Sequence, residues 1–177
     1  SRGQGIFGPE VRPILYALNP DQKKRFMDPV LRGEKKLCFM QTGPHAGSGP
    51  ASMKTRAVRQ GDYYIVNGTK RFITGAGEAD FGQLMAVTDP AKGAHGGISC
   101  FMVDMKTPGL TLVTRYKTMM GEEPWHITFD DMKVPAENIV RKEGERFKLA
   151  QKWLGIGRLK HGARALGVAE RCIEMGA

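Results

Sequence analysis

Hydroxyls, glycines and an aromatic ring recur where two apolar runs of this 177-residue chain end. The first run, Leu37-Cys38-Phe39-Met40, leads into Gln41-Thr42-Gly43-Pro44-His45-Ala46-Gly47-Ser48. The second closes on Phe72-Ile73-Thr74 and passes at once to Gly75. Thr42, Ser48 and Thr74 can each donate and accept a hydrogen bond. Glycine lets a backbone approach a ligand closely, and a succession of free N–H groups can form an anion-binding nest. With an aromatic beside them, the two strand ends suit a flat ring with polar edges. Two ordinary turns would use the same residue types, so the spacing alone leaves both readings open.

Other chemistries lack their residues. The four histidines, His45, His95, His126 and His161, have no metal-ligand spacing with the cysteines, so no metal site is predicted. Gly47-Ser48-Gly49 is not the Gly-x-Ser-x-Gly of a nucleophile elbow, and no Gly-Lys-Ser/Thr follows the loop glycines, which excludes a P-loop. Glu122 and Glu123 are tempting acids, but neighbours on a strand point to opposite faces. Their loop reads as structural or as a subunit contact. The 10 methionines read as core filling.

Composition narrows the class. Hydrophobic residues make up 41% and charged residues 25%, as in ordinary soluble globular proteins. The net charge of +9 is scattered over Lys23-Lys24-Arg25, Lys35-Lys36, Arg141-Lys142, Lys152, Arg158 and Lys160. A nucleic-acid binder would gather it into a stripe with interleaved aromatics, so solvated faces are the reading, with a field that also draws small anionic ligands. No apolar run reaches the length of a membrane span, and the first residues do not resemble a signal peptide. Cys38, Cys100 and Cys172 are odd in number and dispersed, which points to reduced thiols in a cytosolic-type compartment.

The elements that would position these residues are legible in outline. Asn19-Pro20 reads as an N-cap followed by proline at the first helical position. That helix is predicted to end near Arg32 with Gly33 after it and Pro29 kinking it. Strands are predicted at 37–40, 55–59, 62–67, 69–74, 83–88, 98–104, 110–115 and 126–131. Asn67-Gly68 suits a type I′ hairpin turn between the third and fourth of these. From about Glu145 the pattern turns helical, in two runs interrupted by Gly155 and Gly157. The predicted class is α+β, an antiparallel β-barrel or sandwich flanked by helical segments. The segments are 1–35, 36–140 and 141–177.

Phe39-Met40-Gln41-Thr42-Gly43-Pro44-His45-Ala46-Gly47-Ser48-Gly49 resembles the flavin-binding signature of acyl-CoA dehydrogenases, aromatic-x-x-Thr-Glu-Pro-x-Ala-Gly-Ser-Asp. Asn67-Gly68-Thr69-Lys70-Arg71-Phe72-Ile73-Thr74 is similar to that family's Asn-Gly-x-Lys-x-Trp-Ile-Thr. Phe129-Asp130-Asp131-Met132-Lys133-Val134-Pro135-Ala136-Glu137-Asn138 resembles its Phe-x-x-Val-x-Val-Pro-x-x-Asn, and Gly157-Arg158 matches a Gly-Arg of its next helix. The resemblance implies the end of an N-terminal helical domain, a whole middle β domain and the first helix of a C-terminal helical domain.

It also implies FAD as cofactor and α,β-dehydrogenation of an acyl-CoA thioester, with electrons passed to an electron-transfer flavoprotein or similar acceptor. Phe39, Gln41, Thr42, Gly47 and Ser48 would line one side of the flavin and its phosphates, and Phe72, Ile73 and Thr74 would cover the ring. Ser48 and Arg158 would bind the substrate. The family's catalytic glutamate is expected beyond Ala177, because its minority position falls on Gly157. A homodimer or homotetramer is implied, in the cytoplasm of a bacterium or the mitochondrial matrix of a eukaryote. An oxidase using O₂ and a non-catalytic piece that binds flavin or acyl-CoA remain as alternatives. Three departures stand out: Gly43 for Glu, Gly49 for Asp and Phe72 for Trp.

Overall fold

Asn19 and Gln22 cap each other. The Asn19 side chain accepts from the Gln22 N–H at 2.8 Å, and the Gln22 side chain accepts from the Asn19 N–H at 3.2 Å, a reciprocal box with Pro20 at the first helical position. Such a cap is worth about 1 kcal/mol. A computed structural model describes residues 4–5, 8–9 and 13–176, apart from 120 and 122, and the chain divides into two compact units between Phe147 and Lys148. Short strands β1 (Gln4–Gly5) and β2 (Gly8–Pro9) pair antiparallel.

The capped helix α1 (Pro20–Gln22) passes through a π-helical segment, Lys23–Met27, into α2 (Asp28–Leu31). Pro29 has no N–H to give to a carbonyl four residues back, and the irregularity predicted there takes the form of this wider turn just before it. The segment is tied down from both sides. Gln22 Nε2 donates to the carbonyls of Glu137 at 2.6 Å and Ile139 at 2.8 Å, and Phe26 meets Phe81 edge-on with ring centroids 5.1 Å apart.

Seven further strands build one mixed sheet: β3 (Leu37–Met40), β4 (Arg56–Gln60), β5 (Tyr63–Ile73), β6 (Phe81–Val87), β7 (Ile98–Asp104), β8 (Leu110–Arg115) and β9 (Trp125–Pro135). They lie in the order β3-β6-β4-β5-β9-β8, with β7 on β6. Most ladders are antiparallel, as predicted for this β domain. Two are not: β3 runs parallel to β6 along its whole length, and β4 meets β6 in parallel at Arg56–Val87. The result is a half-barrel of mixed sheet with few helices.

Cys38, Met40, Tyr64, Val66, Ile73, Leu84, Phe101, Ile127, Phe129 and Met132 fill one continuous core. Six consecutive residues of β7, Ile98 to Val103, are buried on both faces, which is why the run reads as uninterrupted rather than alternating apolar sequence.

Two predicted features are overturned. Asn67-Gly68 does not turn the chain, because β5 continues straight through it and pairs with β9 on both sides. The hairpin lies earlier, where Gly61-Asp62 joins β4 to β5. Asn67 instead stands opposite a bulge of β9, where Asp130 and Asp131 together face this one residue. Asn67 Nδ2 donates to Asp131 Oδ1 and the Asp131 N–H donates to Asn67 Oδ1, both at 2.8 Å. Gly68 has φ +136°, and a Cβ there would stand 2.7 Å from the Thr55 Cα, so only glycine fits. The two helical runs predicted after Glu145 are one helix, α3 (Arg146–Gly176), of 31 residues. Interior glycines cost about 1 kcal/mol each, which a helix of this length absorbs. Among the described residues no helix is long and apolar enough to cross a membrane.

Candidate functional site

The two motif segments meet edge to edge. As β3 ends, the Gln41 carbonyl accepts from Lys70 Nζ at 2.8 Å and the Thr42 carbonyl accepts from the Arg71 N–H at 2.9 Å. A Cβ on Gly43 would sit 3.1 Å from the Thr69 carbonyl oxygen, so the loop passes close to the β5 backbone there. Gly43 and Ala46 then exchange N–H···O bonds of 3.0 and 3.3 Å, closing a tight turn around Pro44-His45. Consecutive residues of one motif are thus gripped by consecutive residues of the other.

This brings Gln41 and Thr42, both half-buried, beside the β5 stretch that ends in Phe72-Ile73-Thr74. Phe39 is half-buried on the face of β3 opposite the core, where Cys38 and Met40 point inward, and its register partner is Gln83. Gly47 and Ser48 lie on the exposed arm beyond the tight turn. Thr74 is exposed, but the Ile73 side chain is 1% exposed and belongs to the core, which leaves its backbone as the part a ligand can meet. Arg158 is exposed on α3, in the second unit.

Phe72 breaks the rules of its strand. A register shift between Lys70 and Ile73 lets it bulge outward with φ +57° and 58% of its surface exposed. A left-handed backbone is strained for a bulky residue, and such strain concentrates at ligand sites. Its ring leans on Tyr116 with centroids 5.0 Å apart, and Tyr116 in turn stacks parallel on His126 at 6.5 Å. Neither Tyr116 nor His126 was marked by the sequence, because the two lie on different strand ends joined only by register: Lys70 pairs with Ile127 and Ile73 with Trp125, so His126 falls opposite the bulge.

The frame around these segments is electrostatic at its base. Lys35 Nζ and the Lys36 N–H both donate to the Asp80 carboxylate, at 2.8 and 2.9 Å, and fix the start of β3 against β6. The Lys35 hydrogen bond first, then the Lys36 N–H, hold the Asp80 carboxyl below its ordinary pKa. On the far side the Tyr64 phenol, buried in the core, donates to Glu143, and its pKa is pushed up to about 12, chiefly by burial and then by that bond. Glu123 forms an ion pair with Arg115 at 2.7 Å, in keeping with a structural loop. Glu122 lies outside the described residues.

A flavin fits what is present. The exposed Phe72 ring offers an apolar face, and the hydroxyls of Thr74 and Ser48 stand open to solvent. A Cβ added at Gly47 or Gly49 would meet no heavy atom within 4 Å, so the arm has room for phosphate groups. The departures at Gly43 and Gly49 therefore differ. Gly49 loses a carboxylate from an open position, whereas Gly43 holds a close backbone contact.

The profile of the acyl-CoA dehydrogenase middle domain matches residues 38–132. An acyl-CoA dehydrogenase of Bacillus subtilis (strain 168) is 38% identical over 164 residues, covering 92% of this chain and 43% of that protein. The caffeyl-CoA reductase-Etf complex subunit CarC of Acetobacterium woodii is also 38% identical over 164 residues, with coverage of 92% and 43%. The structure of butyryl-CoA dehydrogenase from Megasphaera elsdenii superposes with a TM-score of 0.81 at 37% identity, covering 89% of this chain and 42% of that one. The chain thus spans about two-fifths of the length of the curated relatives it matches.

Proposed function

The chain belongs to the acyl-CoA dehydrogenase family, and from that premise we propose that it supplies much of the FAD site of an enzyme that dehydrogenates an acyl-CoA thioester between its α and β carbons. The observation that carries this reading is the lacing of residues 41–43 to residues 69–71, which sets the two motif segments side by side.

Phe39, Gln41, Thr42, Gly47 and Ser48 would hold one side of the flavin and its phosphates. Phe72 and Thr74 would cover the ring, with Ile73 contributing through its backbone. When bound, the flavin would supply the hydride acceptor. The work of this chain's own residues is to bind, orient and exclude water. Thr42 and Thr74 would hydrogen-bond the polar ring edge, and Ser48 and Arg158 would bind the acyl-CoA. No residue of this chain is proposed to take the α-proton.

Residues 36–140 would form the middle β domain between helical segments 1–35 and 141–177. An electron-transfer flavoprotein is the proposed electron acceptor, a reading supported by the relative named as part of an Etf complex. A homodimer or homotetramer is the proposed assembly.

The test is a titration of the complete polypeptide with FAD, followed by the quenching of flavin fluorescence. Saturable binding that weakens when Thr74 is replaced by Val is the expected result. A folded protein that takes up no FAD overturns the reading.

A further inference from the structure

We propose that Lys70 is a positioning residue of this site, whose buried ammonium sets where Gln41 and Thr42 stand against Phe72-Ile73-Thr74. The proposal rests on the reading of those residues as a flavin site.

Lys70 is 0% exposed. Lysines are almost never fully buried unless paired, and taking an ammonium out of water costs several kcal/mol. A methionine would fill the same space at no such cost, so the charge calls for a use. Its stem lies on the inward face of β5, in line with Tyr64 and Val66. Its head lies at the end of β3, where Nζ donates to the Gln41 carbonyl at 2.8 Å and approaches Met53 Sδ at 3.4 Å. A charged donor makes a stronger bond to a carbonyl than a neutral one does.

The neighbouring contacts show what that bond controls. The Arg71 N–H holds Thr42, and the Thr69 carbonyl accepts from Thr55 Oγ1 at 3.0 Å while lying against Gly43. Residues 70 and 71 therefore each bond one loop residue, at 41 and 42 respectively, and the Thr69 carbonyl lies close to Gly43. The contacts at Thr69 and Arg71 are made by backbone atoms. The one at Lys70 is made by a side chain that faces inward, so it can be removed without altering a surface that a ligand would meet.

The experiment compares the complete polypeptide with its Lys70→Met and Lys70→Arg variants. Two quantities are measured for each: the FAD dissociation constant from fluorescence quenching, and the melting temperature without flavin. Lys70→Met is expected to weaken FAD binding by about tenfold or more, the ratio produced by losing a charge-assisted bond, with the flavin-free melting temperature unchanged or raised. Lys70→Arg keeps the charge and is expected to restore part of that affinity.

A Lys70→Met protein that binds FAD as tightly as the parent overturns the proposal. So does a loss of affinity matched by a fall in the flavin-free melting temperature and not relieved by arginine, since that pattern marks general destabilisation. Where Lys70→Met does not fold, the uncharged Lys70→Gln variant takes its place: weakened FAD binding at an unchanged melting temperature supports the proposal, and parental affinity overturns it. A folded parent that binds no FAD removes the underlying reading instead, an outcome visible before any variant is made.

Discussion

The N–H of Arg71 donates to the carbonyl of Thr42 at 2.9 Å, a bond between residues 29 positions apart that joins the two stretches of sequence richest in ligand-binding character. Neither stretch makes a site alone. Joined here, they set the half-buried Gln41 and Thr42 beside the outward bulge that carries Phe72.

Thr74 provides the simplest test of that arrangement. Thr74→Val keeps the shape and removes the hydroxyl, so FAD affinity is expected to fall about tenfold, the scale of one or two lost hydrogen bonds. Because Thr74 is exposed, the melting temperature without flavin should stay within about 2 °C of the parent.

The register of β5 on the β9 bulge should be sensitive to Gly68. Gly68→Ala places a Cβ 2.7 Å from the Thr55 Cα at φ +136° and is expected to cost about 2 kcal/mol or more in denaturant unfolding. Asn67→Ala, which deletes both bonds to Asp131, should cost about 1 kcal/mol. Neutral results for both would remove the bulge from the account of β5.

Much of the β domain was legible because its strands are written locally. The boundaries of 37–40, 98–104 and 110–115 match β3, β7 and β8, and the Asn19 cap declares itself through the proline that follows it. What was not legible depended on partners distant in sequence. Asn67-Gly68 carries the local signal of a turn, but Asp131, 64 residues away on the bulge of β9, bonds the asparagine and keeps the pair within β5. The same holds for the site. Thr42, Ser48 and Thr74 are candidates by type and by the family resemblance, while Tyr116 and His126 become neighbours of Phe72 only through the β5–β9 and β8–β9 registers. Gly155 and Gly157 read as breaks because propensity is a local quantity, and the helix that spans them is not decided by two residues.

Gln83 is a predicted weak point of the core. It is 0% exposed, and among the described residues neither its Oε1 nor its Nε2 has a hydrogen-bond partner. A buried amide left unpaired costs about 1–3 kcal/mol. Gln83→Leu, which nearly preserves volume, should therefore raise stability by about 1 kcal/mol or more in denaturant unfolding. A destabilised variant would mean that the amide has a partner.

Tyr64 gives the chain a signature at high pH. Its folded pKa of about 12 lies above the ordinary value of 10, so the fold favours the neutral phenol. The stability this contributes is whole below pH 10 and is lost as pH rises from 10 to 12, where the unfolded chain ionises first. Unfolding free energies measured across that window should fall in the parent and fall less steeply in Tyr64→Phe. Equal slopes would contradict the burial argument.

The most direct test of the central claim is the visible spectrum of the complete polypeptide with FAD, recorded without oxygen as acyl-CoA thioesters of different chain length and branching are added in turn. A bound flavin whose absorbance bleaches with one class of thioester is the result predicted for an acyl-CoA dehydrogenase. A bound flavin that no thioester reduces would contradict the proposed reaction, and a folded protein with no bound flavin would contradict the site itself.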